Sequence, residues 1–496
     1  MNERHGSRVA PAKGLHSIFP FKWIVVTILI YFGLRLLFFS LTISPDVPPD
    51  EVTHFGLCKI YSRVLSLPDN SSETYEYGLV TNSPYLYYWI MGRILAINYL
   101  GIPDLLLLRL FNIPFAFATV FFVWRILKLL TSEGLPQFLL IIAMTNTLMF
   151  TFLSATISYD NLVNLLAAMG IYYLLAFFRY RSGDLLALSL LCQLAGCLTK
   201  VSFLPLVLAM NSILIVCEFK NLRHVPRAVW THLQILTGRR VLITLGIFIV
   251  FVLNVHLYGG NFYKYKKLSP SMTDVLPIDK AMQHRVTARD IIFRLFKEGE
   301  ITKYQAMMMA LKIKHPGDRD GVLYLIENYD ALKRGGPKPM EPPKYALFWL
   351  RQMGATIFGI MGYLGMFNFG PLLRLFGALG ILAALAFLLR WRPHDGGRLA
   401  LIMIVIAIFY GIFLMYGFNY RSYLFTGSPF LAVQGRYIFP VIGPIYVLAS
   451  FYLPQLFKKR YAQLILVTAA SVLFLSSDFP YFLLHVTPDW YAPLLR

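Results

Sequence analysis

Repeated apolar runs of about 20 residues dominate this chain, and about 20 is the length an α-helix needs to cross the hydrocarbon core of a bilayer. They fall at roughly 22–44, 84–101, 105–130, 136–154, 160–178, 184–199, 202–217, 240–258, 371–389, 399–417, 436–454 and 461–477, with a weaker apolar piece near 346–366. Composition agrees: 57% of the 496 residues are hydrophobic and only 14% charged, outside the range of soluble globular proteins. The 34 Gly and 28 Pro follow no period, which excludes collagen-like or low-complexity character and suits interrupted membrane helices. Intrinsic disorder is excluded as well. The expected fold class is an all-α polytopic membrane protein with about 11–13 transmembrane helices and a large, partly helical external loop region.

A net charge of +21 would suggest nucleic acid in a soluble protein, but these cations gather at the ends of apolar runs, where they set topology. No nucleic-acid partner is expected; membrane lipids are. Arg4, Arg8, Lys13 and Lys22 precede the first run, and no small-residue cleavage site follows them, so that run reads as a retained anchor with a cytoplasmic N-terminus. Arg179 and Arg181, the stretch Lys220 to Arg240, Arg390, Arg392 and Arg398, and Lys458 to Arg460 mark one side as cytoplasmic. The segments 45–83, 259–345 and 418–435 then share the outer face. Three crossings between residues 84 and 154 would put Asp160 inside, whereas the later charges put it outside; one of the three therefore does not span. The organisation is a transmembrane module over 1–258 with a first external loop at 45–83, an external loop region at 259–345, and a second transmembrane module over 346–496. Helices are expected at 287–313 and 320–334.

The sharpest local feature is Pro48-Pro49-Asp50-Glu51-Val52-Thr53-His54-Phe55. A proline pair ends the extended exit from the first run and can open a helix just after it. On that helix Asp50 and His54 are four apart and Glu51 and His54 three apart, so a carboxylate and an imidazole share a face. That suits a general base or a pair of metal ligands, although acids also favour a helix N-terminus for dipole reasons alone. Asp160, in Ser158-Tyr159-Asp160, is a second carboxylate at a run boundary, either functional or an N-terminal cap. Lys200 and Arg436 stand at external ends of apolar runs, the wrong side for topogenic cations; they seek an anionic partner or snorkel to headgroups. Arg93 reads as a buried ion-pair partner and Arg109 as a helix-end arginine. The four Cys (58, 192, 197 and 217) form neither a disulfide framework nor a zinc spacing. No Walker loop, G-x-S-x-G, C-x-x-C or H-E-x-x-H occurs, so nucleotide hydrolysis is not expected, and the longest cytoplasmic segment is too short for a nucleotide-sugar domain.

These motifs, taken in order, read PPDEVTHF (48–55), SPYLYY (83–88), SYD (158–160), TK (199–200), FGIMGY (358–363) and QGRYIFP (434–440). In that series the chain resembles the integral-membrane glycosyltransferases of the GT-C superfamily, and specifically the bacterial group filed as domain of unknown function 2142. Ser83 replaces a proline of the group's pattern, and Leu364-Gly365-Met366 lacks the charged residue that often follows the F-G-x-x-G stretch. The resemblance implies a GT-C-like fold, a loop acid acting on the acceptor, which Asp50 or Glu51 matches, and a polyprenyl-phosphate sugar donor bound from the outer leaflet.

The expected activity is transfer of a sugar from such a donor to an extracytoplasmic glycan, lipid or protein, at a bacterial inner or plasma membrane with the site facing outward. Asp50 is the expected base, Glu51 or Asp160 orients the acceptor or a divalent metal (Mg or Mn), and His54 supports the site. Asp50, Glu51 and His54 are the candidate metal ligands. Lys200 and Arg436, with Gln434, are the candidate binders of the departing lipid phosphate, because cations can stabilise that leaving group without a general acid. A surface-polysaccharide polymerase or ligase, and a lipid-linked sugar transporter or flippase, are the alternatives.

Overall fold

Long apolar stretches bury their backbone by closing every hydrogen bond within the segment, and the computed structural model is accordingly all helix. It describes residues 21–219, 224–234, 237–313, 316–336 and 338–492; Arg4, Arg8, Lys13 and Lys220 lie outside these. Among the described residues the only β pairing is two isolated bridges, Ile43 with Tyr491 and Ile360 with Met366. Nine helices among the described residues are long and apolar enough to cross a membrane: Lys22–Thr42, Asp104–Lys128, Tyr159–Tyr180, Val201–Glu218, Gly238–Tyr265, Pro371–Arg390, Gly396–Thr426, Gly435–Leu456 and Arg460–His485. A tenth is the pair Gly134–Thr145 and Leu148–Ser154, bent by 62°. At the break, buried Arg35 donates to the freed Thr145 carbonyl (2.8 Å) and pairs with Asp478.

Nine, or ten with the bent pair, is fewer than the 11–13 expected, for identifiable reasons. The run at 84–101 yields Leu86–Ala96, eleven residues or about 16 Å, half the hydrocarbon thickness. It packs on Glu51–Arg63 instead, and Arg93, rather than forming an ion pair, donates to the Tyr61 and Val64 carbonyls at the end of that helix. The run near 346–366 becomes a helix, Pro342–Ile357, and a tight turn in which Ile360 and Met366 exchange backbone hydrogen bonds. Gly183–Thr199 is 17 residues long, one short of the nine but within the range that spans. It runs back along Tyr159–Tyr180, with Asp184 paired to Arg240 at one end and Lys200 to Asp160 at the other. Counting it and the bent pair as spans brings the total to eleven, the lower end of that expectation, and removes the parity conflict before Asp160.

One end of the bundle gathers the basic clusters: Arg181 pairs with Glu218, Arg390 donates to the Leu456 carbonyl and Arg398 to that of Cys217. The other end carries the long connections. There Arg285–Glu298, Lys303–Ala310 and Pro316–Lys333 enclose a core of their own around Ile292, Phe296, Ala306, Ala310, Val322 and Ile326. The helix expected over 287–313 is broken because Gly299 adopts a left-handed conformation (φ 81°) and closes the first of them.

Candidate active site

The proline pair does what its chemistry allows: Glu51–Arg63 is helical, and Asp50 is the residue before it, in the left-handed region (φ 62°, ψ 12°). Its carboxylate caps nothing in the helix. Arg436 Nη2 donates to Oδ2 (2.9 Å) and Arg285 Nη2 to Oδ1 (2.7 Å). Burial pushes the Asp50 carboxyl up, but the guanidiniums outweigh it and hold it well below the usual carboxylate range.

The neighbouring acid has a different fate. Glu51 is 0% exposed and takes a bidentate pair from Arg109 (Nε to Oε1 2.9 Å, Nη2 to Oε2 2.5 Å), while Oε1 also accepts from the Ile157 backbone (2.7 Å). Arg109 is thus no helix-end residue: it lies inside Asp104–Lys128 and uses its remaining Nη1 on the carbonyls of Ser40 (3.1 Å) and Ile43 (2.8 Å). Glu51 lines neither of the two cavities that meet here. The side chain of Asp50, by contrast, is 38% exposed.

Asp160 is not the cap expected as one reading of its position: it lies in the first turn of Tyr159–Tyr180, behind Ser158. Ser158 caps its helix by accepting from the Asp160 N–H (3.2 Å), and the carboxylate takes Lys200 Nζ at Oδ1 (2.6 Å), with Arg436 Nη1 3.7 Å from Oδ2. Lys200 also lies over the rings of Tyr159 (4.5 Å) and Tyr437 (4.9 Å). Gln434 Oε1 accepts from Arg436 Nε (2.7 Å). The glycine between them permits a close backbone approach: a Cβ at Gly435 would lie 2.6 Å from the Ile357 nitrogen, and the Gly435 N–H donates to Thr356 Oγ1 (2.8 Å).

His54 shares the face of Asp50, as its spacing requires. Its Nδ1 is 2.8 Å from the Tyr88 hydroxyl, its Nε2 is buried without a partner, and burial lowers its pKa to about 4, so it is neutral at pH 7. Tyr88 comes from SPYLYY, and Tyr363, from FGIMGY, lies under the Arg285 guanidinium (5.2 Å). Gly362 lets that turn press on the exit of the first span, since a Cβ there would sit 2.1 Å from the Val47 carbonyl oxygen.

Two cavities meet at Asp50. One, of about 830 Å³, lies under the long external loop and is lined by Asp50, Arg285, Arg294, Asp318, Tyr324, Phe430 and Gln434 among others. The other, of about 750 Å³, is lined by Asp50, Thr53, His54, Tyr88, Tyr159, Lys200, His284 and Arg285, and by Leu204, Pro205, Tyr410, Phe413 and Leu414 of two spans. Asp50, Arg285 and Tyr437 line both; Glu51, Asp160 and Arg436 line neither.

Of the expected residues, the fold gathers Asp50, His54, Asp160, Lys200, Gln434 and Arg436 around one centre, with Glu51 turned away. The expected metal set does not form: Glu51 is committed to Arg109, both oxygens of Asp50 accept from arginines, and among the described residues no group of three His, Cys, Asp or Glu could hold an ion. Arg285 escaped the sequence reading. It is 235 positions from Asp50, outside every motif, and bridges Asp50 to Asp318 (2.6 Å); no local pattern signals such a contact.

No family model and no curated protein matches the chain. Among solved structures it is similar to ArnT from Cupriavidus metallidurans in the apo state, at 12% identity over 87% of this chain and 77% of that one (TM-score 0.36). For the same protein bound to undecaprenyl phosphate the figures are 13%, 88%, 79% and 0.36. It is also similar to the archaeal oligosaccharyltransferase AglB from Archaeoglobus fulgidus in complex with an inhibitory peptide and a dolichol-phosphate, at 12% identity over 93% of this chain (TM-score 0.45). The similarity takes in only 55% of the archaeal enzyme's length.

Proposed function

We propose that this protein is a GT-C-type glycosyltransferase that moves a sugar from a polyprenyl-phosphate-type lipid to an acceptor on the outer face of a bacterial inner membrane. The motif series in its sequence supports the family, and the meeting of two unlike cavities at one carboxylate carries the chemistry. The cavity bounded by span residues suits a lipid-borne donor, and the one under the external loop suits a polar acceptor.

In this reading Asp50 takes the proton of an acceptor hydroxyl as its oxygen bonds to the anomeric carbon. The bond from that carbon to the phosphate oxygen breaks, and the electron pair leaves with the lipid phosphate. Lys200 and Arg285, the cations that line the donor cavity, stabilise the phosphate. Arg436, behind Asp50, is a positioning residue that ties the base to Asp160 and, through it, to Lys200. With both oxygens engaged Asp50 is a poor base; transfer of Arg285 from Oδ1 to the arriving phosphate frees the atom that must accept the proton. Base strength is then coupled to donor binding.

The test is Asp50→Asn. Transfer should fall by about 10²–10⁴-fold while the protein stays folded and membrane-inserted, with the lipid-linked donor accumulating in cells. Undiminished appearance of the sugar on the acceptor in cells would remove Asp50 as the base and favour another catalytic centre or the transporter reading.

A further inference from the structure

Resting on that reading, the walls of the cavity under the external loop narrow the acceptor. Six charged residues line it: Asp50, Arg285, Arg289, Asp290, Arg294 and Asp318. Arg285 bridges Asp50 and Asp318, and Arg289 pairs with Asp290 (2.9 Å). Every acid is thereby matched, and one cation is left. Among the described residues no carboxylate pairs with Arg294, and its Nε is buried without an acceptor. Arg294 makes no hydrogen bond or ion pair among the described residues, so it places an unmatched guanidinium in the cavity wall, and such a charge favours an anion from outside the chain.

The surroundings indicate what carries that anion. Tyr324, Phe425 and Phe430 line the same cavity, each nearly half exposed, and flat apolar faces of this kind suit sugar rings better than bare headgroups. Arg285 and Arg294 lie nine positions apart on Arg285–Glu298, a rise of about 13 Å, the reach of a short oligosaccharide rather than of one ring.

We propose that Arg294 anchors an anionic substituent, a uronate carboxylate or a phosphate, on an oligosaccharide acceptor, a short distance along the glycan from the hydroxyl presented to Asp50. A guanidinium matches either anion with paired, charge-assisted hydrogen bonds.

The full-length protein in lipid nanodiscs would be titrated with four probes: an oligosaccharide bearing uronic acids, its carboxyl-reduced neutral counterpart, a phosphorylated oligosaccharide, and a glycerol-phosphate oligomer without sugar rings. The wild type should bind an acidic oligosaccharide about 10-fold tighter than the neutral one; the tighter of the two acidic glycans names the anion. Arg294→Gln should erase the difference and Arg294→Lys keep most of it. Equal affinity for neutral and acidic glycans, or an acid preference intact in Arg294→Gln, overturns the proposal, as does tightest binding of the glycerol-phosphate oligomer. A thermal shift with a short prenyl phosphate, retained in Arg294→Gln and lost in Lys200→Gln, establishes that the first variant is folded and tests the donor site separately. If that shift is absent while the acidic preference depends on Arg294, the transferase reading fails and the glycan site stands.

Discussion

Asp50 pays for its place with a left-handed backbone, a conformation that costs an L-residue about 1–2 kcal/mol and that Asp tolerates better than most. The strain aims its carboxylate away from the helix it precedes and toward two guanidiniums. His54, one turn on, is perturbed in a measurable way. Its folded pKa is about 4 against an ordinary 6.5, chiefly from burial. A depressed folded pKa contributes stability that is complete above the unfolded value and is lost as pH falls from 6.5 toward 4. At 1.36 kcal/mol per pKa unit the loss is about 3 kcal/mol. Melting of the detergent-solubilised protein should therefore drop steeply across that window, and His54→Gln, which cannot titrate, should flatten this part of the curve. An unchanged curve in the variant would mean that His54 is not the titrating group.

Among the elements, the contact that fixes the helix behind Asp50 is Glu51 with Arg109. It joins the start of Glu51–Arg63 to the second turn of Asp104–Lys128, to the end of the first span through Ser40 and Ile43, and to the turn before Tyr159–Tyr180 through Ile157. Breaking one side of a buried ion pair costs about 3–5 kcal/mol because the remaining charge is stranded. Glu51→Gln is thus expected to lower melting sharply, unlike Asp50→Asn, although both change one atom of adjacent acids. If the two variants melt alike, the pair does not hold the helix. The first external loop is held at its far side as well, where Asn82 and Asn261 exchange hydrogen bonds of 2.8 and 3.0 Å, linking it to the start of the long loop.

At the scale of the whole molecule, a count of eleven crossings predicts residues 97–103 and the long loop at one face and residues 131–133 at the other. In a background without reactive cysteine, a membrane-impermeant thiol reagent applied from outside should label Tyr99→Cys and Tyr304→Cys, both at exposed positions, and spare Ser132→Cys. Labelling of Ser132→Cys with Tyr99→Cys spared would restore Leu86–Ala96 as a span, since that crossing would exchange the sides of the two positions. Much of this was legible in the sequence, because crossing a bilayer is a demand each segment meets alone: length, apolarity and flanking cations are local properties. The site was legible in part for a related reason. Asp50 and His54 lie on one helical turn, and Lys200 and Arg436 betrayed themselves as cations at the wrong end of apolar runs. The roles of neighbours were not legible. Asp50 and Glu51 are chemically alike and adjacent, and only packing decides that one faces the cavities and the other Arg109. Arg285 and Arg294 depend on how the external helices fold back over the bundle, and no residue near them in sequence records that contact. The chain by itself determined a multi-pass helical protein with carboxylates and cations at one face; the tertiary structure decided which of those charges are matched, which is left over, and where two cavities meet, since pairing is a property of distances between segments far apart in the chain.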